Sequence, residues 1–216
     1  MLMDNTVGSN LVLTPFVSYN LGLWCADGYS RTSSVGFCNT NLKLLNSFLD
    51  FLNRVLGKDM ELIRLRIYCP VGATPDKLLM QKFKKEQIHF AKPSKSKLVA
   101  YHLYVNDRSL LCWFKNVQLL RASWINTELL GAFFAGRFDG DGSIDANLKR
   151  DCRIVYGNYS EAFIDQQILS SFRTSIYYYR KAGTYCLYVS MKSTGDFVET
   201  IKPFSEKIKS KLPRID

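Results

Sequence analysis

The sequence predicts an α+β fold made of two similar halves, and three observations carry that expectation. A stripe of small residues ending in Asp-Gly occurs twice, as Ser18-x-x-x-Gly22-x-x-x-Ala26-Asp27-Gly28 and as Ala132-x-x-x-Gly136-x-x-x-Gly140-Asp141-Gly142. After each stripe, the hydrophobic periodicities follow the same order: helix, strand, strand, helix, strand, strand, helix. The charge is strongly positive, +10 from 29 Lys and Arg against 19 Asp and Glu, which favours a polyanionic partner.

Small residues at i, i+4 and i+8 share one face of a helix. Two helices with such stripes can pack backbone against backbone, closer than the ~8–10 Å that larger side chains impose. Each stripe is followed by a carboxylate and a glycine. Close-packed helices of this kind would bring Asp27 and Asp141 together near a pseudo-two-fold axis. On a basic chain, that arrangement suggests divalent metal held over a nucleic-acid backbone.

In the first half, taken as 1–122, Thr14-Pro15 opens a helix with Thr as N-cap and Pro at its first position, and Gly28 ends it. Arg31–Thr40 reads as a short hairpin. Asn41 then caps a helix with apolar positions Leu45, Phe48, Leu49, Leu52, Val55 and Leu56, stopped by Gly57. Residues 61–68 alternate, with Ile63, Leu65 and Ile67 on one face and Arg64, Arg66 and Tyr68 on the other, as a half-buried strand does. Val99–Val105 is its expected partner, and a helix over Asp107–Leu120 closes the half. Between these strands lies an insertion, 70–97, with three prolines and the lysines 77, 82, 84, 85, 92, 95 and 97. A loop of that length is usually functional or disordered.

The second half, 123–216, repeats the order. A helix is expected over Thr127–Asp141, strands near Ile144–Leu148 and Cys152–Tyr156, and a helix over Ser160–Phe172. A hairpin then turns at Ala182-Gly183, and a last helix covers Asp196–Leu212, kinked at Pro203.

With 47% hydrophobic residues the chain can bury a real core. No apolar run approaches the roughly 18–20 residues of a membrane span, and nothing before Arg31 reads as a signal or transit peptide. The six cysteines never approach CxxC spacing and sit in apolar segments, as buried reduced thiols do. These features place the chain in an intracellular compartment, cytoplasmic or organellar, with no membrane partner. A calcium loop starting at Asp139 fails, because Ile144 stands where Gly is needed and Arg150 where the bidentate Glu is needed.

Phe134-Ala-Gly-Arg-Phe-Asp-Gly-Asp-Gly142 resembles the LAGLIDADG motif, and Asn20-Leu-Gly-Leu-Trp-Cys-Ala-Asp-Gly28 resembles a diverged first copy. The resemblance covers nearly the whole chain and is to the monomeric, two-motif LAGLIDADG homing endonucleases. It implies two αββαββα halves forming a saddle of two antiparallel four-stranded sheets over the DNA major groove, with the motif helices packed at the centre. It also implies that the last acid of each motif binds divalent metal, here Asp27 and Asp141. The cofactor would be Mg²⁺, with Mn²⁺ as a substitute and Ca²⁺ binding without cleavage. Metal held by carboxylates can activate water and stabilise a leaving alkoxide, and a duplicated site can serve both strands. The implied activity is site-specific double-strand cleavage, staggered across the minor groove of a long asymmetric target, by an intron-encoded monomer with no obligate protein partner. In the first copy Cys25 replaces the earlier acid and Asn20 the leading Leu, while the metal position is retained in both.

Asn39 and Asn158, where a strand gives way to a helix, are candidates for holding hydrolytic water, with helix capping as the alternative. Arg121, Lys207 and Lys209 lie near the place after each closing helix where the family keeps a basic residue. Arg31, Arg64, Arg66, Tyr68, Lys149, Arg153, Tyr177, Tyr179, Lys181 and Lys192 are candidates for DNA contact from the strands and their edges, since Arg pairs with guanine O6 and N7 and β-ribbons fit the major groove. Lys82, Lys84 and Lys85 of the insertion are expected to touch phosphates without reading sequence. His89 and His102 stand isolated and carry no assigned chemistry. The alternative function is an RNA-binding intron maturase on the same scaffold; a non-catalytic DNA-binding regulator ranks last.

Overall fold

In the computed structural model, which describes residues 12–29, 33–92, 97–124, 126–144 and 152–211, the first helix begins where Thr14 and Pro15 place it. The Thr14 side chain accepts from the Val17 amide at 3.3 Å, and α1 runs over Pro15–Asp27. The fold resolves into two compact units, one of residues 27–116 and one of residues 13–26 with 117 onward.

The first unit holds β1 (Gly28–Tyr29), β2 (Ser34–Asn39), α2 (Leu42–Asp50), β3 (Arg64–Tyr68), α3 (Lys77–Met80), β4 (Ile88–Ala91), β5 (Ala100–Asn106) and most of α4 (Arg108–Leu120). Its sheet has the order β1-β2-β5-β3-β4, one strand more than the four expected. The first three pairings are antiparallel, and β4 lies parallel to β3, with Arg66 opposite His89. The extra strand comes from the insertion, which is a folded crossover and not a loop. Leu79 and Phe83 are buried, and the Gln87 amide donates to the carbonyls of Met60 at 2.6 Å and Ile63 at 2.7 Å. Its apolar residues and one satisfied amide hold a segment whose lysines suggested solvent.

Phe37 on β2 packs on Phe48 of α2 with ring centroids 5.1 Å apart, and Phe48, Phe51 and Phe114 complete the core of this unit. The helix expected to run from Asn41 to Gly57 widens its hydrogen bonding from four residues to five at Phe51–Val55, which forms one π-helical turn. Gly57 then takes φ +61°, the left-handed conformation that ends it.

The second unit holds α5 (Thr127–Asp141), β6 (Gly142–Ser143), β7 (Cys152–Tyr156), α6 (Tyr159–Ile168), β8 (Thr174–Tyr179), β9 (Thr184–Val189), α7 (Met191–Ile201) and α8 (Glu206–Lys211), together with α1. Its sheet is four-stranded and antiparallel throughout, in the order β6-β7-β9-β8. The strand expected near Ile144–Leu148 falls largely outside the described residues; the described strand there is β6. Gly183 turns the β8–β9 hairpin with φ +64°. The last helix is two helices, not one kinked at Pro203. Proline removes a backbone donor, and α8 restarts at Glu206 with its own N-terminal partner, described below. All six cysteines are free thiols, and among the described residues no helix is long and apolar enough to cross a membrane.

Candidate active centre and nucleic-acid interface

The stripes of small residues do what their spacing requires. In the second unit, α1 and α5 meet at Gly22 and Gly136. A Cβ on Gly22 would overlap the Phe133 carbonyl oxygen and stand 2.9 Å from the Arg137 nitrogen. A Cβ on Gly136 would overlap the Tyr19 carbonyl oxygen and stand 2.8 Å from the Leu23 nitrogen. The contact is reciprocal, glycine onto backbone in both directions. Ser18 adds a hydrogen bond from its hydroxyl to the Leu129 carbonyl at 2.6 Å. Residues 17–24 of α1 are all buried, so the middle of this helix has no solvent face.

Each motif helix ends on its aspartate, and the two ends are built differently. Asp27 accepts a hydrogen bond from the Asn39 amide at 2.7 Å, while the Asn39 carbonyl oxygen accepts from the Asn41 amide at 2.8 Å. At the end of α5, the Lys207 ammonium donates to the carbonyls of Phe138 at 3.0 Å, Gly140 at 3.4 Å and Gly142 at 2.8 Å. A cation there meets the negative end of the helix dipole and satisfies carbonyls the helix leaves open. Lys209, exposed on α8, lies 3.8 Å from Glu206.

The strand register corrects the pairing of Asn39 with Asn158. Gly28 lies opposite Phe37 and Gly142 opposite Ile154, so the counterpart of Asn39 is Tyr156. Asn158 corresponds instead to Asn41. Both cap helices, Asn41 by accepting from the Lys43 amide at 3.0 Å and Asn158 by accepting from the Glu161 amide at 2.9 Å. Capping is therefore the observed work of Asn158, and of these two asparagines it is Asn39 that touches a motif carboxylate, Asp27.

Asp139, two residues before Asp141, has a different task. It is buried and accepts from the Tyr19 hydroxyl at 2.7 Å, from Ser205, and from the amides of Glu206 at 2.7 Å and Lys207 at 3.1 Å. It is the anionic cap of α8. Burial, and then the Asp139 charge, raise the Tyr19 phenol well above its usual range, so it stays a donor.

Arg121 is not a free basic group. It is 1% exposed, pairs with Asp165 at 2.7 Å and donates to the Gln118 carbonyl. Arg137 joins the same cluster. It pairs with Glu161 at 2.8 Å, stands 3.5 Å from Asp165, donates to the Cys25 carbonyl, and lies 4.3 Å over the Tyr156 ring. The Tyr156 hydroxyl donates to Asp165 at 2.9 Å. Asp165→Ala would leave two buried guanidinium groups short of their shared anion, and a loss of about 3–5 kcal/mol is expected in urea unfolding.

The strand faces follow the predicted alternation. In the first sheet, Arg64, Arg66 and Tyr68 are partly exposed on one face, and Leu65 and Ile67 are buried on the other. Cross-strand partners extend the polar face to Tyr104, His102 and Cys38 on β5 and β2, and to His89 on β4. The Arg66 guanidinium lies 5.6 Å over the Tyr104 ring. His102 is 4% exposed, between Tyr29 and Tyr104 with centroids 4.8 and 5.1 Å away, over Gly36, where a Cβ would stand 2.5 Å from its Nε2. Burial, then the Arg66 charge, push its pKa down to about 4. The folded state therefore resists protonation of His102. Stability should be full above about pH 6.5 and fall as pH drops from there towards about 4, and His102→Gln should flatten that slope in melts taken across pH.

In the second sheet, Arg153, Tyr177, Tyr179 and Tyr188 share one face by register, opposite the buried Ile154, Leu187 and Val189. Arg153 donates to Ser143 at 2.9 Å and reaches the Tyr188 hydroxyl at 3.5 Å, which also bonds Tyr179. Lys181 is exposed in the hairpin turn and Lys192 on the first turn of α7. Arg31 and Lys149 lie outside the described residues. The insertion lysines are not on the strand face: Lys82 donates to Asn46 of α2 at 2.7 Å, on the helix-bearing side, and Lys84 pairs with Glu61. Lys85 is exposed in a short 3₁₀ turn. Tyr104 and Tyr188 went unnoticed in the sequence and His102 was given no chemistry, because the strand register that sets each of them opposite an arginine is not a local signal.

Two packed motif helices, each passing into a sheet with a polar, arginine-bearing face, define a LAGLIDADG-type fold. Comparison with known proteins agrees. Residues 128–202 match the family model of the LAGLIDADG-like domain. The structure of I-DmoI in complex with DNA and Ca is similar at TM-score 0.60 and 20% identity, covering 91% of this chain and 96% of that one. I-DmoI in complex with DNA and Mn gives 0.58 and 20%, covering 88% and 97%. Full-length DUF199/WhiA from Thermatoga maritima gives 0.57 and 16%, covering 95% of this chain and 60% of that one. A comparison with curated proteins finds no match. Residues 128–202 thus carry a LAGLIDADG-like domain, and the chain shares the fold of these solved structures.

Proposed function

We propose that the chain is a metal-dependent, site-specific DNA endonuclease that cuts both strands of an asymmetric target with staggered ends across the minor groove. The observation that carries this reading is the reciprocal glycine packing of two helices that each end on a retained aspartate. The halves 1–122 and 123–216 each address one half-site, and Asp27 and Asp141 each serve one strand. The likeness to I-DmoI, solved with DNA and with Mn or Ca, supports the same reading.

Divalent metal fits these residues. Among the described residues there is no group of three His, Cys, Asp or Glu side chains that could cage an ion. Mg²⁺ needs no such cage; it is held by one or two carboxylates with water and substrate phosphates completing its shell. Asp27 and Asp141 are hard oxygen donors, partly exposed. When bound, the metal supplies an activated water and stabilises the leaving oxygen. The chain supplies the rest. Asn39 fixes the rotamer of Asp27 through its amide. Lys207 ties down the turn that carries Asp141 and brings a positive charge beside it. The arginine-bearing strand faces hold the duplex so that its scissile phosphates meet the carboxylates.

The test is cleavage mapping on the host gene from which the intron has been removed. One double-strand break with staggered ends is expected with Mg²⁺ or Mn²⁺, and binding without cutting with Ca²⁺. No cleavage, together with stimulated splicing of the intron RNA, would replace this reading with that of a maturase.

A further inference from the structure

The two polar sheet faces differ in chemistry. On the first, β3 presents Arg64, Arg66 and Tyr68, all half-buried; Arg64 also donates to the Glu61 carbonyl, and the Arg66 guanidinium lies over the half-buried Tyr104 ring. On the second, two exposed rings stand with a single arginine. Tyr177 is 57% and Tyr179 43% exposed, Tyr177 packs edge-on against Tyr188 at 5.5 Å, and Arg153, itself exposed, donates to Ser143 and reaches the Tyr188 hydroxyl. Arginine pairs in bidentate fashion with guanine O6 and N7, whereas an apolar surface in the major groove meets the thymine 5-methyl. A tyrosine gives such a surface with a hydroxyl at its edge.

We propose that the two halves read different bases: guanines under the first sheet through Arg64 and Arg66, and thymine methyls under the second through Tyr177, Tyr179 and Tyr188. The target is then G-marked in one half-site and T-marked in the other. Hydroxyl contacts between Tyr179 and Tyr188, and the ring contact of Tyr177, hold the three phenols as one platform, so it discriminates as a unit. The inference rests on the reading of the chain as a DNA-recognising endonuclease and adds what that reading leaves open, the composition of each half-site.

The experiment selects duplexes from a randomised pool with the full chain in Ca²⁺, then measures binding to the selected duplex carrying base analogues. Replacing guanine with 7-deazaguanine should weaken binding about tenfold per contacted base in one half only. Replacing thymine with deoxyuridine should weaken it about fourfold per contacted methyl in the other half only. Arg66→Ala should abolish the first sensitivity and keep the second, and Tyr177→Ala combined with Tyr179→Ala should do the reverse. A selected duplex equally sensitive to both analogues in both halves, or insensitive to deoxyuridine, would overturn the inference while leaving the endonuclease reading standing. A pool from which no sequence is enriched would remove both.

Discussion

Asp27→Asn or Asp141→Asn should end double-strand cleavage, lowering it by at least about a thousandfold, while target binding in Ca²⁺ changes little. Asparagine keeps the size of the side chain and one carbonyl oxygen but loses the charge that a divalent ion requires. The two variants should not be equivalent in detail. Asp27 accepts a hydrogen bond from Asn39, which an asparagine oxygen can still accept, and Asn39→Ala alone should slow cleavage while sparing binding. Asp141 has the Lys207 ammonium on the carbonyls around it, which makes Lys207→Met a second test of that end of the site. Either aspartate variant retaining wild-type cutting of both strands would dismiss the proposed mechanism. Gel-shift titration beside plasmid linearisation separates loss of chemistry from loss of binding.

Gly22→Ala and Gly136→Ala should be the most damaging substitutions for stability. A methyl group at either position collides with the backbone of the facing helix, which has no rotamer to change. The two helices must separate along their length, and a loss of about 3 kcal/mol or more is expected, near the upper end for overpacking. For a chain of this size that corresponds to a fall of roughly 6–12 °C in Tm. The contrasting control is Gly195→Ala in α7, where an added Cβ meets nothing within 4 Å; it should be neutral or slightly stabilising. Equal melting of all three variants would mean that the helices are not packed as described.

Much of this architecture could be read from local pattern. The bounds of α5, Thr127–Asp141, coincide with the predicted ones, because Asn126, the small-residue stripe and Gly142 all act within one or two turns. The alternation of β3 and the turn at Gly183 are equally local signals. What escaped was non-local. The strand Ile88–Ala91 pairs parallel to β3, so its place in the sheet is decided by a partner more than 20 residues away, while its flanking lysines suggested solvent. The break before α8 depends on a carboxylate on α5. Arg121 reads as a basic residue of the site until Asp165, on another helix, is placed between it and Arg137. The Asn39–Asn158 pairing failed by two residues, a register error that counting along one strand cannot detect.

The cap that Asp139 makes on α8 explains why the two motif copies can differ at the earlier acid. That carboxylate is spent on Tyr19, Ser205 and two backbone amides, while Asp141, the acid proposed for the chemistry, stays partly exposed. The matching place in the first copy is Cys25, whose thiol is pushed up to about 12, first by burial, and whose carbonyl accepts from Arg137. No short helix needs an anion there. Divergence at this position therefore records which copy must moor a terminal segment, and it carries no information about which copy can cut.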